Sequence, residues 1–179
     1  MIKKLFIVVL FLLSASFVKA QMFAVKCDLA KGVAMAPNLG VDFVVGEKTT
    51  FGVDVFGTKK TWGKDVKMFA ISPDIRYWFG GRTFIRHFVE LSLITVNYDI
   101  KWGNNIYDGN AYGAGFVFGR AYKLNSHFNF EISGGLTMLS YKQQEYKKDD
   151  NYEDYGERFN CKGNTVLPKI ELSISYIIK

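Results

Sequence analysis

From Phe23 to the C-terminus, apolar side chains recur at every second position. That period puts them on one face of an extended strand, whereas a helical bundle would repeat them every three or four residues. The last segment is the clearest case, with Ile170, Leu172, Ile174, Tyr176 and Ile178 set against Glu171, Ser173, Ser175 and Ile177. Leu39, Val41, Phe43 and Val45 alternate with Gly40, Asp42 and Val44, and Phe51, Val53 and Val55 with Gly52, Asp54 and Phe56. The pattern returns in Phe69 to Trp78, Tyr112 to Gly119 and Phe128 to Met138, and a first strand sets Phe23, Val25 and Leu29 against Lys26 and Asp28. Between Phe88 and Trp102 the phase changes. Val89, Leu91 and Leu93 share one parity and Val96, Tyr98, Ile100 and Trp102 the other, which predicts a β-bulge between them. These segments amount to about eight strands.

The connections alternate in length. Short ones are expected around Glu47 and Lys48, from Gly80 to Arg86 and from Lys123 to Ser126. Longer ones are expected from Lys31 to Pro37, Thr58 to Val66, Gly103 to Asn110 and Lys142 to Val166. Short turns at one end and long loops at the other characterise membrane barrels whose termini lie in the periplasm. The N-terminus agrees with export. Lys3 and Lys4 precede the apolar run Leu5 to Leu13, and Val18 and Ala20 are the small residues that a signal peptidase reads before Gln21. Residues 1–20 are therefore expected to be a cleavable signal peptide and residues 21–179 a single barrel domain. A membrane-spanning helix needs roughly twenty apolar residues in succession, and this run is about half that. Lys3, Lys4 and Lys19 would leave with the leader and no acid would, so the formal charge of +6 falls to about +3, which gives no reason to expect a nucleic-acid partner.

Alternation alone does not say which face meets which solvent. In a soluble, lipocalin-like barrel the apolar face surrounds a ligand cavity; in a membrane barrel it meets lipid. The second face decides. It combines glycines and serines with isolated charges, which a narrow eight-stranded interior can hold, whereas a solvated face would carry more Lys and Thr. Lys26, Asp42, Asp54, Asp74, Arg76, Glu90, Glu131 and Glu171 are accordingly expected to form an interior charge network, with Asp28 and Lys169 also on that face. Tyr77, Trp78, Phe79, Tyr98, Trp102 and Tyr176 gather near strand ends, as interfacial aromatics do. The expected fold is all-β: an eight-stranded antiparallel up-and-down transmembrane β-barrel of the cell outer membrane, in contact with outer-membrane lipid.

Several of these stretches also carry a resemblance. Ala24-Val25-Lys26, Pro37 to Phe43, the Pro73-Asp74-Ile75-Arg76-Tyr77-Trp78-Phe79 strand, Gly113-Ala114-Gly115 and Pro168 to Ser173 together resemble a bacteroidete-type family of outer-membrane barrels that carries a domain-of-unknown-function label. Some members are encoded beside fimbrillin-type fimbriae. The resemblance implies an eight-stranded outer-membrane barrel with a structural or surface-interaction role, accessory to fimbriae or another surface protein. It transfers no catalytic residue and no cofactor. Family members also carry a Cys pair in the last long loop; this chain has only Cys161 there, so that pairing does not exist here.

The search for chemistry is brief. Acyl-transferring outer-membrane barrels use a Ser activated by His, but His87 and His127 both fall in short turns, on the periplasmic side of such a barrel. Ser126 adjoins His127, and neighbours on a strand point to opposite faces. No enzyme is therefore expected, with lipid modification kept as an alternative beside a narrow channel. In the last loop Tyr146, Tyr152, Tyr155 and Phe159 are interleaved with charged residues and form a candidate contact surface. Asp149, Asn151 and Glu153 have the opening spacing of a calcium loop, yet Asp154 stands where that loop needs Gly and Asn160 where it needs Glu, so no metal is expected. Cys27 and Cys161 are left as either a bridge or two free thiols, and their expected difference in height favours free thiols.

Overall fold

A computed structural model describes residues 22–147 and 161–178. Eight strands close into an antiparallel barrel in sequence order. They are β1 (Phe23–Asp28), β2 (Asn38–Gly46), β3 (Thr49–Thr58), β4 (Val66–Trp78), β5 (Arg86–Trp102), β6 (Asn105–Lys123), β7 (Phe128–Lys147) and β8 (Cys161–Ile178), with one short helix, α1 (Leu29–Val33), after β1. Closure is made by β1 against β8, in register from Phe23 opposite Ile178 to Asp28 opposite Ser173. The wall is uneven in height. β2 has 9 residues and β3 has 10, whereas β6 and β7 have 19 and 20. No helix among the described residues is long and apolar enough to cross a membrane.

The alternation translates directly into inside and outside. On β8, Glu171, Ser173 and Ser175 are buried in the lumen while Ile170, Leu172 and Tyr176 are exposed. On β4, Ala70, Ser72, Asp74, Arg76 and Trp78 are buried, and Phe69, Ile71, Ile75 and Tyr77 are exposed. The apolar face thus points outward around the ring and the charged face inward.

Four expectations need correction. Leu29 does not continue β1. Asp28 ends the strand and caps α1, its side chain accepting from the Ala30 N–H at 2.9 Å, because a carboxylate at the N-cap satisfies an amide that has no helical partner. The connection from Gly103 to Asn110 is not a loop: β5 and β6 pair as far as Trp102 opposite Asn105, leaving only a two-residue turn. Likewise β7 runs to Lys147 and β8 begins at Cys161, so strand replaces both flanks of the last expected loop. The connection after β4, residues 79–85, is no plain short turn; it folds back into the lumen and buries Phe84.

The fourth correction is the bulge in β5. The register of β5 is unbroken against both neighbours, from Val66–Ile100 to Trp78–Phe88 on one side and from Arg86–Ala121 to Trp102–Asn105 on the other. What changes is the polarity of each face. Leu91 and Leu93 point outward and are exposed, whereas further along the strand Val96 points inward and is buried with Ala70 and Ala111 against Phe56, Met68, Tyr98 and Tyr141. Thr95 and Asn97 have taken over the outer face there. Neighbouring strands switch at matching heights. The outward series runs from Tyr112 to Asn110 on β6, from Met138 to Ser140 on β7 and from Val166 to Asn164 on β8, and Met138 is paired with Val166 as Ser140 is with Asn164.

Candidate functional site

Three layers fill the lumen, the uppermost being the apolar cluster of Ala70, Val96 and Ala111. At the short-turn end Trp78, Phe84, Phe88, Ala24, Ala121 and Ile177 form an apolar plug. Ring centroids of Trp78 lie 5.7 Å from Phe84 and 4.8 Å from Phe88. Phe84 belongs to the connection after β4, and the Asn129 side-chain amide holds it by donating to its carbonyl at 2.6 Å. The Trp78 indole N–H donates to Thr50 Oγ1 at 3.1 Å, so the buried ring leaves no orphaned donor.

Above the plug lies a continuous charge network. Arg76 Nη2 is 2.8 Å from Glu90 Oε2, and its Nη1 is 3.0 Å from Glu131 Oε2 and 3.4 Å from Asp42 Oδ2. Lys26 Nζ lies 3.0 Å from Asp42, 3.1 Å from Asp54 and 3.4 Å from Asp74. Lys169 bridges Glu90 at 2.7 Å to Glu171 at 3.5 Å. The structure therefore brings Lys26, Asp42, Asp54, Asp74, Arg76, Glu90, Glu131 and Glu171 into one connected set. Ser175 Oγ donates to the second Glu131 oxygen at 2.9 Å. Two glycines make room for this. A Cβ on Gly40 would strike the side chains of Asp54 and Lys26, and one on Gly52 would strike the Asp42 and Asp74 carboxylates.

The plug and the network are joined, because the Arg76 guanidinium sits 4.9 Å from the centroid of Phe88. From the long-loop end α1 contributes Lys31, whose ammonium lies 3.1 Å from Asp28 and 3.0 Å from Glu171. Burial works against that charge, but Glu171 and Asp28 outweigh it and hold the Lys31 pKa above its ordinary value. The gap beside Lys26, Lys31 and Glu171 has a volume of about 10 Å³, at most the space of one water. The lumen is packed solid at this level.

A much larger concavity of about 1110 Å³ is bordered by Leu39, Val55 and Phe69. Those three side chains point away from the network, and the concavity is also bordered by the exposed Lys67–Asp99 ion pair and by Asp108. Among the described residues no group of His, Cys, Asp and Glu is arranged to hold a metal. Ser126 Oγ lies 2.9 Å from His127 Nδ1, but the pair is exposed and the imidazole stacks on Tyr176 at 5.8 Å. His87 stacks on Phe118. Both cysteines are free. Cys27 is level with Ile174 of β8, roughly 40 Å along the strand from Cys161 at the usual rise per residue. Tyr146 lies at the long-loop end of β7; Tyr152, Tyr155 and Phe159 fall outside the described residues.

Sequence reasoning did not find Phe84, Asn129 or Lys31, and it counted Trp78 and Tyr98 among the interfacial aromatics, whereas Trp78 is buried in the plug and Tyr98 packs against the buried Ala70, Val96 and Ala111. An aromatic residue inside a stretch rich in Gly and Arg reads as turn, and nothing local announces that the turn folds inward.

Residues 5–178 match the family described as "Protein of unknown function (DUF3575)". No curated protein matches the chain. Among solved structures it is similar to a major outer membrane protein from Thermus thermophilus, at 15% identity over 89% of this chain and 100% of that one, with a TM-score of 0.49.

Proposed function

Because the chain belongs to the DUF3575 family of proteins of unknown function, its role must be read from its geometry, and we propose that it is a sealed outer-membrane barrel with a structural or surface-interaction role. The observation that carries the reading is the exchange of polarity along the wall. From Phe128 to Met138 the outward residues of β7 are Phe128, Phe130, Ile132, Gly134, Leu136 and Met138, a span of about ten residues, which is what a tilted strand needs to cross hydrocarbon. Beyond that level the outward residues become Ser140 and Lys142 while the lumen turns apolar. A barrel standing wholly in water has no reason to reverse its faces at one height on neighbouring strands. A barrel that leaves a membrane at that height does.

The plug and the charge network argue for a wall without a conduit, and a Ser–His pair with no carboxylate beside it argues against acyl chemistry. The export leader expected over residues 1–20 agrees with an outer-membrane location. In its finer form the reading has the long-loop end, around Tyr146, contacting a surface partner such as a fimbrial component. Fractionation tests the location: the mature protein is expected to partition with outer-membrane lipid, and recovery as a soluble periplasmic protein would refute the reading. In planar bilayers it is expected to produce no single-channel openings. Pull-down from intact outer membrane tests the finer form, with recovery of fimbrial subunits as the expected result.

A further inference from the structure

The rim that carries the short turns is basic, with an arginine content that the opposite, lysine-bearing rim lacks among the described residues. Its connections supply Lys48 and Arg82, and the adjoining ends of β5 and β6 supply Arg86, Arg120 and Lys123, against which the described residues set only Glu47. None of these cations lies in an ion pair with a described residue. At the opposite rim, by contrast, Lys67 pairs with Asp99 at 3.3 Å, and Asp65, Asp108 and Glu145 are interspersed with its lysines. Immediately beneath the basic rim the outer wall carries an aromatic girdle. Tyr77 and Phe79 meet edge to face at 5.3 Å, Phe128 and Tyr176 pack at a tilt with centroids 4.9 Å apart, and His87 lies on Phe118 at 5.8 Å.

Tyrosine and its neighbours in such a girdle settle at the boundary between hydrocarbon and headgroups. That fixes the depth of what stands just beyond them. Arg120 reaches that level from the strand below it: its side chain points outward from β6 two residues before Tyr122, and its guanidinium lies 4.8 Å from the Tyr122 ring. The cations of this rim therefore stand close to phosphate depth, and among the described residues none of them is paired with an acid. A guanidinium matches a phosphate in two parallel hydrogen bonds.

We propose that the short-turn rim binds the phosphate headgroups of anionic phospholipid in the leaflet it faces. The inference rests on the membrane reading above and adds a specific lipid class to it. The cations are distributed over the turns after β2 and β4 and the neighbouring ends of β5 and β6, so lipid is held around the rim rather than in one pocket, and the barrel is fixed in depth and direction by the headgroups at that end.

The test uses the full mature chain refolded into phosphatidylcholine nanodiscs, then exchanged with phosphatidylglycerol of the same chain length and weighed with its retained lipid by native mass spectrometry. Retention of phosphatidylglycerol over phosphatidylcholine is expected. A variant carrying Lys48→Gln, Arg82→Gln and Arg120→Gln should lose roughly fivefold of that preference per charge, on the order of a hundredfold in all. A control carrying Lys59→Gln, Lys60→Gln and Lys64→Gln at the other rim removes the same charge and should keep it. Equal retention by all three proteins, or equal loss in both variants, overturns the inference while leaving the membrane reading intact. Failure of the wild-type chain to enter even neutral nanodiscs, judged by its heat-dependent gel migration, overturns both.

Discussion

Arg76 holds more of the lumen together than any other residue named here, since Asp42, Asp74, Glu90 and Glu131 all lie within 3.4 Å of its guanidinium. Replacing it with Ala leaves those carboxylates facing one another in a buried site. The expected loss is about 3–5 kcal/mol, the cost of breaking a buried ion pair by removing one partner. Urea unfolding of the refolded barrel measures it, and a loss below about 1 kcal/mol would mean that Lys26 and Lys169 suffice. This network was legible because a charge at every second position of a strand has to share the face of its neighbours. Its close fit was not legible. Gly40 and Gly52 look like generic small residues until the structure puts carboxylates where their side chains would stand.

At the scale of elements, the connection of residues 79–85 behaves as a stopper. Phe84→Ala empties the centre of the plug and is expected to cost about 3–5 kcal/mol, as deletion of a buried aromatic does. Trp78, fully buried in the wild-type barrel, should shift its fluorescence to longer wavelength in the same variant; an unchanged spectrum would show that the turn does not seal the mouth. β5 offers the sharpest test of where the membrane ends. Leu91 and Asn97 both point outward on it, below and above the change of polarity. Leu91→Arg is expected to destabilise by about 2–4 kcal/mol and Asn97→Arg by about 0–1 kcal/mol. Equal costs would remove the membrane boundary from β5. The sequence showed this element's two parities plainly, but periodicity states only that the greasy face has changed. A bulge and a change of surrounding solvent leave the same trace, and only the unbroken register separates them.

For the whole molecule, strand number, order and sidedness followed from alternation because each strand's two faces meet different media along most of its length. Strand ends did not follow. Asn105, Asp108 and Asn110 read as loop because they are polar, yet they continue β6 past the height at which the wall changes polarity. The exposed end should be the one with the long connections, so protease added to whole cells is expected to cut between Lys147 and Arg158 and leave the barrel intact. Cleavage only after the cells are permeabilised would reverse the orientation. The uneven wall has one more consequence. About ten residues suffice to span hydrocarbon, yet β6 and β7 have 19 and 20, so on the membrane reading proposed above the tall side rises clear of the bilayer like a mast. Anything that grips the masthead pulls along the strands, not across them. The rungs of the ladder between β6 and β7, from Asn105–Lys147 to Lys123–Asn129, then share the load in parallel instead of opening one after another. The barrel is thereby suited to being hauled upon.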